Sequence, residues 1–200
     1  MLIVIGGGPA GFFAAIRARE TAPDRPVILL EKSNQGLRKV LASGGGRCNV
    51  THDCLEPREL ATRYPRGGRE LRGPFHTFGP ADTTAWFADR GVELKTEPDG
   101  RMFPVTNSSR TIVACLQQAA TEAGVEVRMD AAVSDLIRDE TGFTVQLADG
   151  SCLEASAVLL ATGGQTSASA DTQSGYDMAA SLGHKIIAPV PSLFTTTHWI

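Results

Sequence analysis

Gly6, Gly8 and Gly11 stand in the spacing G-x-G-x-x-G, with Gly7, Pro9 and Ala10 between them. In a turn between a strand and a helix, the first glycine permits the tight bend. The second lets a pyrophosphate approach the backbone, and the third lets the helix pack closely on the strand. A helix N-terminus behind such a turn offers unpaired N–H groups and a partial positive charge to phosphate. Glu31 follows 20 residues after Gly11. A carboxylate there can accept hydrogen bonds from both hydroxyls of an adenosine ribose, and it repels a 2′-phosphate, which disfavours NADP at this point. These features fit NAD and FAD equally.

A second segment separates the two. Gly36-Leu37-Arg38-Lys39 leads to Ser43-Gly44-Gly45-Gly46-Arg47-Cys48-Asn49. A plain NAD domain passes from its second strand into another crossover without such a loop. Backbone N–H groups of consecutive glycines can form an anion-binding concavity, and Arg38, Lys39 and Arg47 carry counter-charge. The arrangement suits a cofactor lying extended across the loop, with its far end near Asn49. A third element, Ala161-Thr162-Gly163-Gly164, closes the apolar run AVLLA. A small-residue turn at the carboxyl end of a strand is where an α/β sheet lets a ligand reach its backbone.

The elements needed to position these groups are legible. Residues 1–5 (MLIVI) and 26–31 (PVILLE) are continuously apolar until the closing Glu, as expected of parallel strands buried on both faces. Residues 9–21 read as the helix between them, giving a β-α-β unit. Residues 33–51 show no periodicity and read as a long functional loop. Residues 57–91 read as helical, interrupted at Pro65, Gly67, Gly68, Gly73 and Pro74; residues 81–90 are the clearest helix, with Asp82 or Thr83 as its cap. Strands follow at 92–95 and 101–105 around a turn at 98–100, then a helix over 108–123 stopped by Gly124 and a strand at 125–129. Residues 132–138, 143–147 and 152–155 form an antiparallel meander. Residues 157–161 return as a buried strand, a polar loop follows, and a last helix spans about 175–182. The fold class is α/β.

Composition narrows the function classes. Apolar residues make up 42% and charged residues 20% of 200, a globular balance. With 19 Lys and Arg against 22 Asp and Glu, the formal net charge is −3, which argues against a general nucleic-acid binder. Four cysteines without C-x-x-C spacing indicate a reduced, cytoplasmic chain and no disulfide framework. His52 between Cys48 and Cys54 lacks a second ligand pair, so no metal site is expected. The uncharged stretch 1–16 is too short to span a bilayer, lacks a basic region ahead of it, and is broken by glycines. No membrane association is expected.

Taken in order, GGGPAG, the acid at Glu31, SGGGRCN, Gly100-Arg101-Met102-Phe103-Pro104 and ATGG resemble the bile-acid delta-4,6-reductase-like flavoproteins, also described as aminoacetone-oxidase-like or NAD(P)/FAD-dependent oxidoreductases. The resemblance runs from Met1 to about Leu193, and SGGGRCN is its most specific part. It implies a Rossmann-like FAD-binding domain over 1–190, with a parallel sheet and a β-meander crossover. Residues 191–200 would then enter an inserted substrate domain. Gly6, Gly8, Pro9, Ala10 and Gly11 would hold the pyrophosphate, and Glu31 the adenosine ribose. Lys32, Arg38, Lys39 and the loop Ser43, Gly44, Gly45, Gly46, Arg47, Asn49 would line the phosphate and flavin side. Val133 would meet the adenine through its backbone, while Ala161, Thr162, Gly163 and Gly164 would close over the cofactor.

The implied chemistry is hydride transfer at flavin N5 to or from a small organic substrate, with NAD(P)H as an electron donor; no catalytic acid or base is assigned. Two departures stand out. Residues 165–174 lack the proline and the Gly-Asp pair of the family, and family members are longer, so the chain reads as an N-terminal half: a truncated gene product, a fragment, or one part of a split enzyme whose remainder a second chain would supply. The alternatives are a non-catalytic fragment retaining only the FAD half-site, and an NAD-dependent dehydrogenase, which the SGGGRCN loop and the meander oppose.

Smaller features have plainer readings. Arg58, Arg63, Arg66, Arg69 and Arg72 could meet RNA or an acidic partner, but such a run is more often a solvated face. His52 and His76 are candidate proton donors without geometry. Cys48 fits a redox thiolate or, more commonly, a small buried side chain. Phe12 and Phe13 read as helix core.

Overall fold

Two continuously apolar stretches and the glycine turn between them nucleate the architecture: β1 (Leu2–Ile5), α1 (Pro9–Thr21) and β2 (Val27–Leu30). The computed structural model describes residues 1–164 and 175–189. After β2 come α2 (Arg38–Ala42), a tight 3-10 turn at Ser43–Gly46, and the two-residue strand β3 (Thr51–His52). The helices α3 (Pro57–Thr62), α4 (Gly68–Thr77) and α5 (Pro80–Ala88) follow, then β4 (Leu94–Thr96) and β5 (Arg101–Pro104). Next are α6 (Ser109–Glu122), β6 (Glu126–Arg128), the meander β7 (Val133–Arg138), β8 (Phe143–Leu147) and β9 (Cys152–Ala155), then β10 (Ala157–Leu160) and α7 (Gly175–Ser181).

The central sheet is all parallel, in the order β10-β1-β2-β6. Successive side chains on a strand point to opposite faces, and each face buries a different half of the apolar run. Val4 and Leu29 pack against α1 and α6, through Phe12, Ile16, Ile112 and Leu116. Ile3, Ile5, Ile28 and Leu30 pack against the meander, through Leu136, Val145 and Leu147. Each such fully buried aliphatic side chain contributes about 1.5–3 kcal/mol relative to exposure. Burial on both faces is why β1 and β2 carry no polar alternation. Phe13 extends the helix side toward α5, with ring centroids 5.1 Å from Phe78 and 5.2 Å from Trp86. Phe12 is fully buried, so both phenylalanines belong to the core.

The α/β class, the parallel sheet and the meander agree with the sequence reading; three local features do not. Residues 33–51 hold α2 and the 3-10 turn rather than an irregular loop, because Leu37 and Val40 are buried and the Ser109 hydroxyl donates to the Leu41 carbonyl (3.1 Å). Five helical residues are too few to show a period. Helix α4 continues through Gly73 and Pro74. Proline removes one helical hydrogen bond, and α4 buries none of its residues, so water can satisfy the freed carbonyl. Helix α5 starts at Pro80 with Gly79 as N-cap; Asp82 sits at the third helical position, where its carboxylate accepts the Gly79 N–H (2.8 Å). The polar loop at 165–174 and the proposed domain entry at 191–200 lie outside the described residues.

Candidate functional site: the carboxyl edge of the parallel sheet

The turn after β1 is built by backbone contact. A Cβ on Gly11 would overlap the Gly6 carbonyl, and one on Gly6 would come within 2.5 Å of the Ala161 carbonyl. The start of α1, the end of β1 and the end of β10 therefore meet backbone to backbone. Gly8 differs: a Cβ there would meet nothing within 4 Å, and its backbone (φ −83°, ψ 180°) suits any residue. The fold does not require glycine at this position; a ligand lying on it would. Gly8 is also the N-cap of α1, with no capping side chain and no acid in the first turn. Pro9 and Ala10 are exposed beside it. This 13-residue helix thus directs its N-terminal N–H groups into open space.

Glu31 faces the same turn. Its Oε2 accepts the Gly7 N–H (2.8 Å), and its Oε1 accepts the Ser33 N–H (2.9 Å) and the Ser33 hydroxyl (2.7 Å). Three donors fix the carboxylate, two on Oε1 and one on Oε2, which leaves acceptor capacity on Oε2 for a ribose hydroxyl. The Glu31 and Ser33 carbonyls accept the N–H groups of Ala131 (2.9 Å) and Asp130 (3.0 Å). The chain leading into β7, and hence Val133 at its start, runs beside the acid. Lys32 is exposed next to it. Ser33 was not among the sequence candidates, although its place two residues after Glu31 is the spacing of a local side-chain-to-backbone turn.

The glycine-rich segment makes a left-handed turn: Gly44, Gly45 and Gly46 have φ of +56°, +66° and +83°. Cβ atoms on Gly45 and Gly46 would meet nothing, whereas one on Gly44 would press on the Asn49 backbone nitrogen (2.7 Å) and the Phe103 ring (3.0 Å). Ser43 opens the turn, its hydroxyl donating to the Val40 carbonyl (2.8 Å). Asn49 is exposed at its far end. Cys48 is buried in the αL region, and burial pushes its thiol pKa up, against a smaller opposing effect from its hydrogen bond with Ser43. It is a packed thiol rather than a thiolate.

The basic residues do not converge on one point. Arg38 is exposed at the start of α2. Lys39 reaches the ATGG turn, where its ammonium donates to the Gly164 carbonyl (3.3 Å) and lies near Gly163. Thr162 is exposed and packs against Gly175, the first residue of α7. Arg47 is held by Glu97 (2.5 Å) with its guanidinium over the Phe103 ring, 4.1 Å from the centroid. Glu97 and Phe103 are therefore further members of the loop's support. No local signal connects them to Arg47, because they lie 50 and 56 residues away. His52 is tied down as well: its Nδ1 accepts the Cys54 N–H (3.0 Å), and its Nε2 lies 3.2 Å from the Asp99 carbonyl.

The residues fit a dinucleotide with a terminal ring. They provide an open, uncapped helix N-terminus at Gly8, an acid hydrogen-bonded to the neighbouring Gly7, and a glycine turn beyond. The HI0933-like protein Rossmann domain matches residues 1–195. The chain belongs to this family. It is 31% identical over 191 residues to a 3-dehydro-bile acid delta(4,6)-reductase of Clostridium scindens, covering 95% of this chain and 46% of the relative. It is 29% identical to a ribosomal RNA dihydrouridine synthase of Escherichia coli, covering 92% of this chain and 45% of the relative. The chain thus spans about half the length of these relatives.

A solved 3-ketosteroid-delta4-(5alpha)-dehydrogenase from Rhodococcus jostii shares the fold, with a TM-score of 0.59 at 18% identity over 81% of this chain and 45% of that one. An E. coli quinol fumarate reductase structure gives a TM-score of 0.59 at 20% identity, covering 82% and 32%. Membership of the HI0933-like family accords with the resemblance drawn from GGGPAG, SGGGRCN and ATGG. Among the described residues, no helix is long and apolar enough to cross a membrane.

Proposed function

We propose that this HI0933-like Rossmann domain binds FAD along the carboxyl edge of its parallel sheet and serves an oxidoreductase acting on a small organic substrate. The observation that carries the proposal is the pairing of Gly8 with Glu31. The helix N-terminus is open where phosphate is expected, and the acid is already oriented through Gly7. The Gly8 turn and the N–H groups of α1 would hold the pyrophosphate. Glu31, steadied by Ser33, would bind the adenosine ribose, with the Val133 backbone beside the adenine. The Ser43–Gly46 turn would carry the cofactor toward Asn49, and Ala161 to Gly164 would cover it, Lys39 anchoring that cover.

The chemistry supplied by bound FAD is hydride exchange at N5, with NAD(P)H as donor and a conjugated double bond or dioxygen as acceptor. The name of the C. scindens relative favours the double bond. The chain's own residues contribute binding, orientation and shielding; none is assigned a proton-transfer role. A second chain or segment would complete the substrate pocket.

The test is a flavin-fluorescence titration of the purified chain and of Gly8→Leu. The wild type should bind FAD saturably at micromolar concentration or tighter, about −8 kcal/mol. The variant should keep its Tm and lose binding, because a Cβ at Gly8 meets no protein atom while a bulky side chain there would block the pyrophosphate. Equal FAD binding by both proteins overturns the site.

A further inference from the structure

One cavity among the described residues lies away from the glycine turn after β1. It is a cleft of ≈ 420 Å³ between α3, α4, α5 and β3, within the size range of small-molecule sites. Its apolar walls are Leu60, Tyr64, Phe75 and Phe78, with Tyr64 and Phe75 in ring contact at 5.6 Å. Aromatic walls of this kind favour a flat ring, which gains both area and ring–ring contact. Tyr64 and Phe78 are 44% and 37% exposed, large aromatic surface left facing solvent.

The polar lining is uncharged. Asn49, Thr51 and Thr83 contribute neutral groups, and among the described residues no Asp, Glu, Lys or Arg lines the cleft. His52 is the only titratable side chain there besides Tyr64. A backbone N–H can only donate, so the bond from Cys54 N to Nδ1 makes Nδ1 an acceptor. Its Nε2 is directed at the Asp99 carbonyl. The Asp53 carboxylate lies 3.3 Å from Nδ1. Thr83 donates its hydroxyl to the Gly79 carbonyl (3.0 Å), so its free lone pairs can accept from a ligand. The Asn49 amide can both donate and accept.

Asn49 also belongs to the far end of the Ser43–Gly46 turn, where its backbone nitrogen lies against Gly44. The cleft therefore adjoins the point at which the extended cofactor is expected to end. We propose that this cleft is the subsite for an uncharged planar ring of the substrate, held by Tyr64, Phe75 and Phe78 and oriented by Asn49 and Thr83. This assignment rests on the FAD reading for its role in the reaction, but not for binding itself.

The probe is 2-naphthol, uncharged and fluorescent, with 2-naphthalenesulfonate as the anionic control on the same ring. The whole chain should bind 2-naphthol saturably and the sulfonate about tenfold more weakly, a difference of 1.4 kcal/mol. Thr83→Trp, which fills the cleft, and Phe75→Ala, which removes a wall, should each weaken 2-naphthol by about tenfold. Gly8→Leu should leave it unchanged. Absence of saturable binding, insensitivity to both cleft variants, or tighter binding of the sulfonate overturns the proposal; the last result would mean that the arginines of α3 and α4 govern the surface. FAD titrated in parallel separates the two readings. FAD binding without 2-naphthol binding removes the cleft, and 2-naphthol binding without FAD removes the cofactor assignment.

Discussion

The Gly7 N–H donates to Glu31 Oε2 at 2.8 Å, joining the glycine turn after β1 to the acid after β2 across 24 residues of chain. The parallel register of β1 and β2, with Ile5 opposite Leu30, brings the two strand ends level and makes the bond possible. The turn and the acid thus form one unit. The same carboxylate that is expected to bind ribose also fixes the turn that is expected to bind pyrophosphate.

Glu31→Gln tests that coupling. An amide keeps one acceptor oxygen and adds a donor facing either Gly7 N or Ser33 N, so one of the three bonds is lost. FAD affinity should fall about tenfold, near 1.4 kcal/mol. Titration by flavin fluorescence reads this directly, and an unchanged dissociation constant would detach Glu31 from the cofactor.

Gly8 and Gly11 should respond oppositely to alanine. Gly11→Ala drives a methyl into the Gly6 carbonyl and should cost about 1–3 kcal/mol by overpacking, lowering Tm by several degrees. Gly8→Ala meets no atom and should leave Tm within a degree or so, on the order of 0.5 kcal/mol or less. Thermal melts of both variants decide; a destabilised Gly8→Ala would mean that the turn, not a ligand, requires the glycine.

Arg47 has a structural occupation that the sequence does not reveal. Bound to Glu97 and stacked on Phe103, it braces the glycine turn from behind. Arg47→Ala should lower stability by about 1 kcal/mol and leave the salt dependence of FAD binding unchanged. A flattened salt dependence instead would make Arg47 a counter-charge to the phosphates.

The cysteines should divide by burial. Desolvation raises the thiol pKa of Cys48, Cys54 and Cys115, so less thiolate exists at a given pH than for an ordinary cysteine. Cys152 is exposed. Iodoacetamide at pH 8 should alkylate Cys152 first in the folded chain. Labelling of Cys48 and Cys115 should grow only at more alkaline pH or on unfolding. Peptide mass spectrometry of timed samples would show this order, and early labelling of Cys48 would contradict its packed position.

Where a structural signal is local, the sequence carries it. The runs MLIVI and PVILLE, interrupted by GGGPAG, mark strand, turn, helix and strand because two-sided burial requires continuous apolar residues and close helix packing requires Gly11. The meander is equally plain, its turns marked by Gly142 and Gly150. Helix α2 is not readable, since five residues hold barely more than one helical turn and Val40 alone marks its buried side. Helix α4 is obscured because Gly73 and Pro74 look like breakers, and the exposure that makes them tolerable is a property of the assembled fold.

The sequence by itself determined the α/β class, the glycine turn, the acid at its proper distance and the second glycine segment. Each depends on neighbouring residues or on a spacing fixed by one β-α-β unit. Only the tertiary structure decided that Gly7 and Ser33 hold Glu31, that Lys39 caps Gly164, that Glu97 and Phe103 occupy Arg47, and that α3, α4 and α5 enclose an uncharged aromatic cleft beside Asn49. All but the Ser33 bond join groups far apart in the chain. Their existence depends on where the parallel sheet and its covering layers place the backbone, and no residue pattern along the chain records that placement.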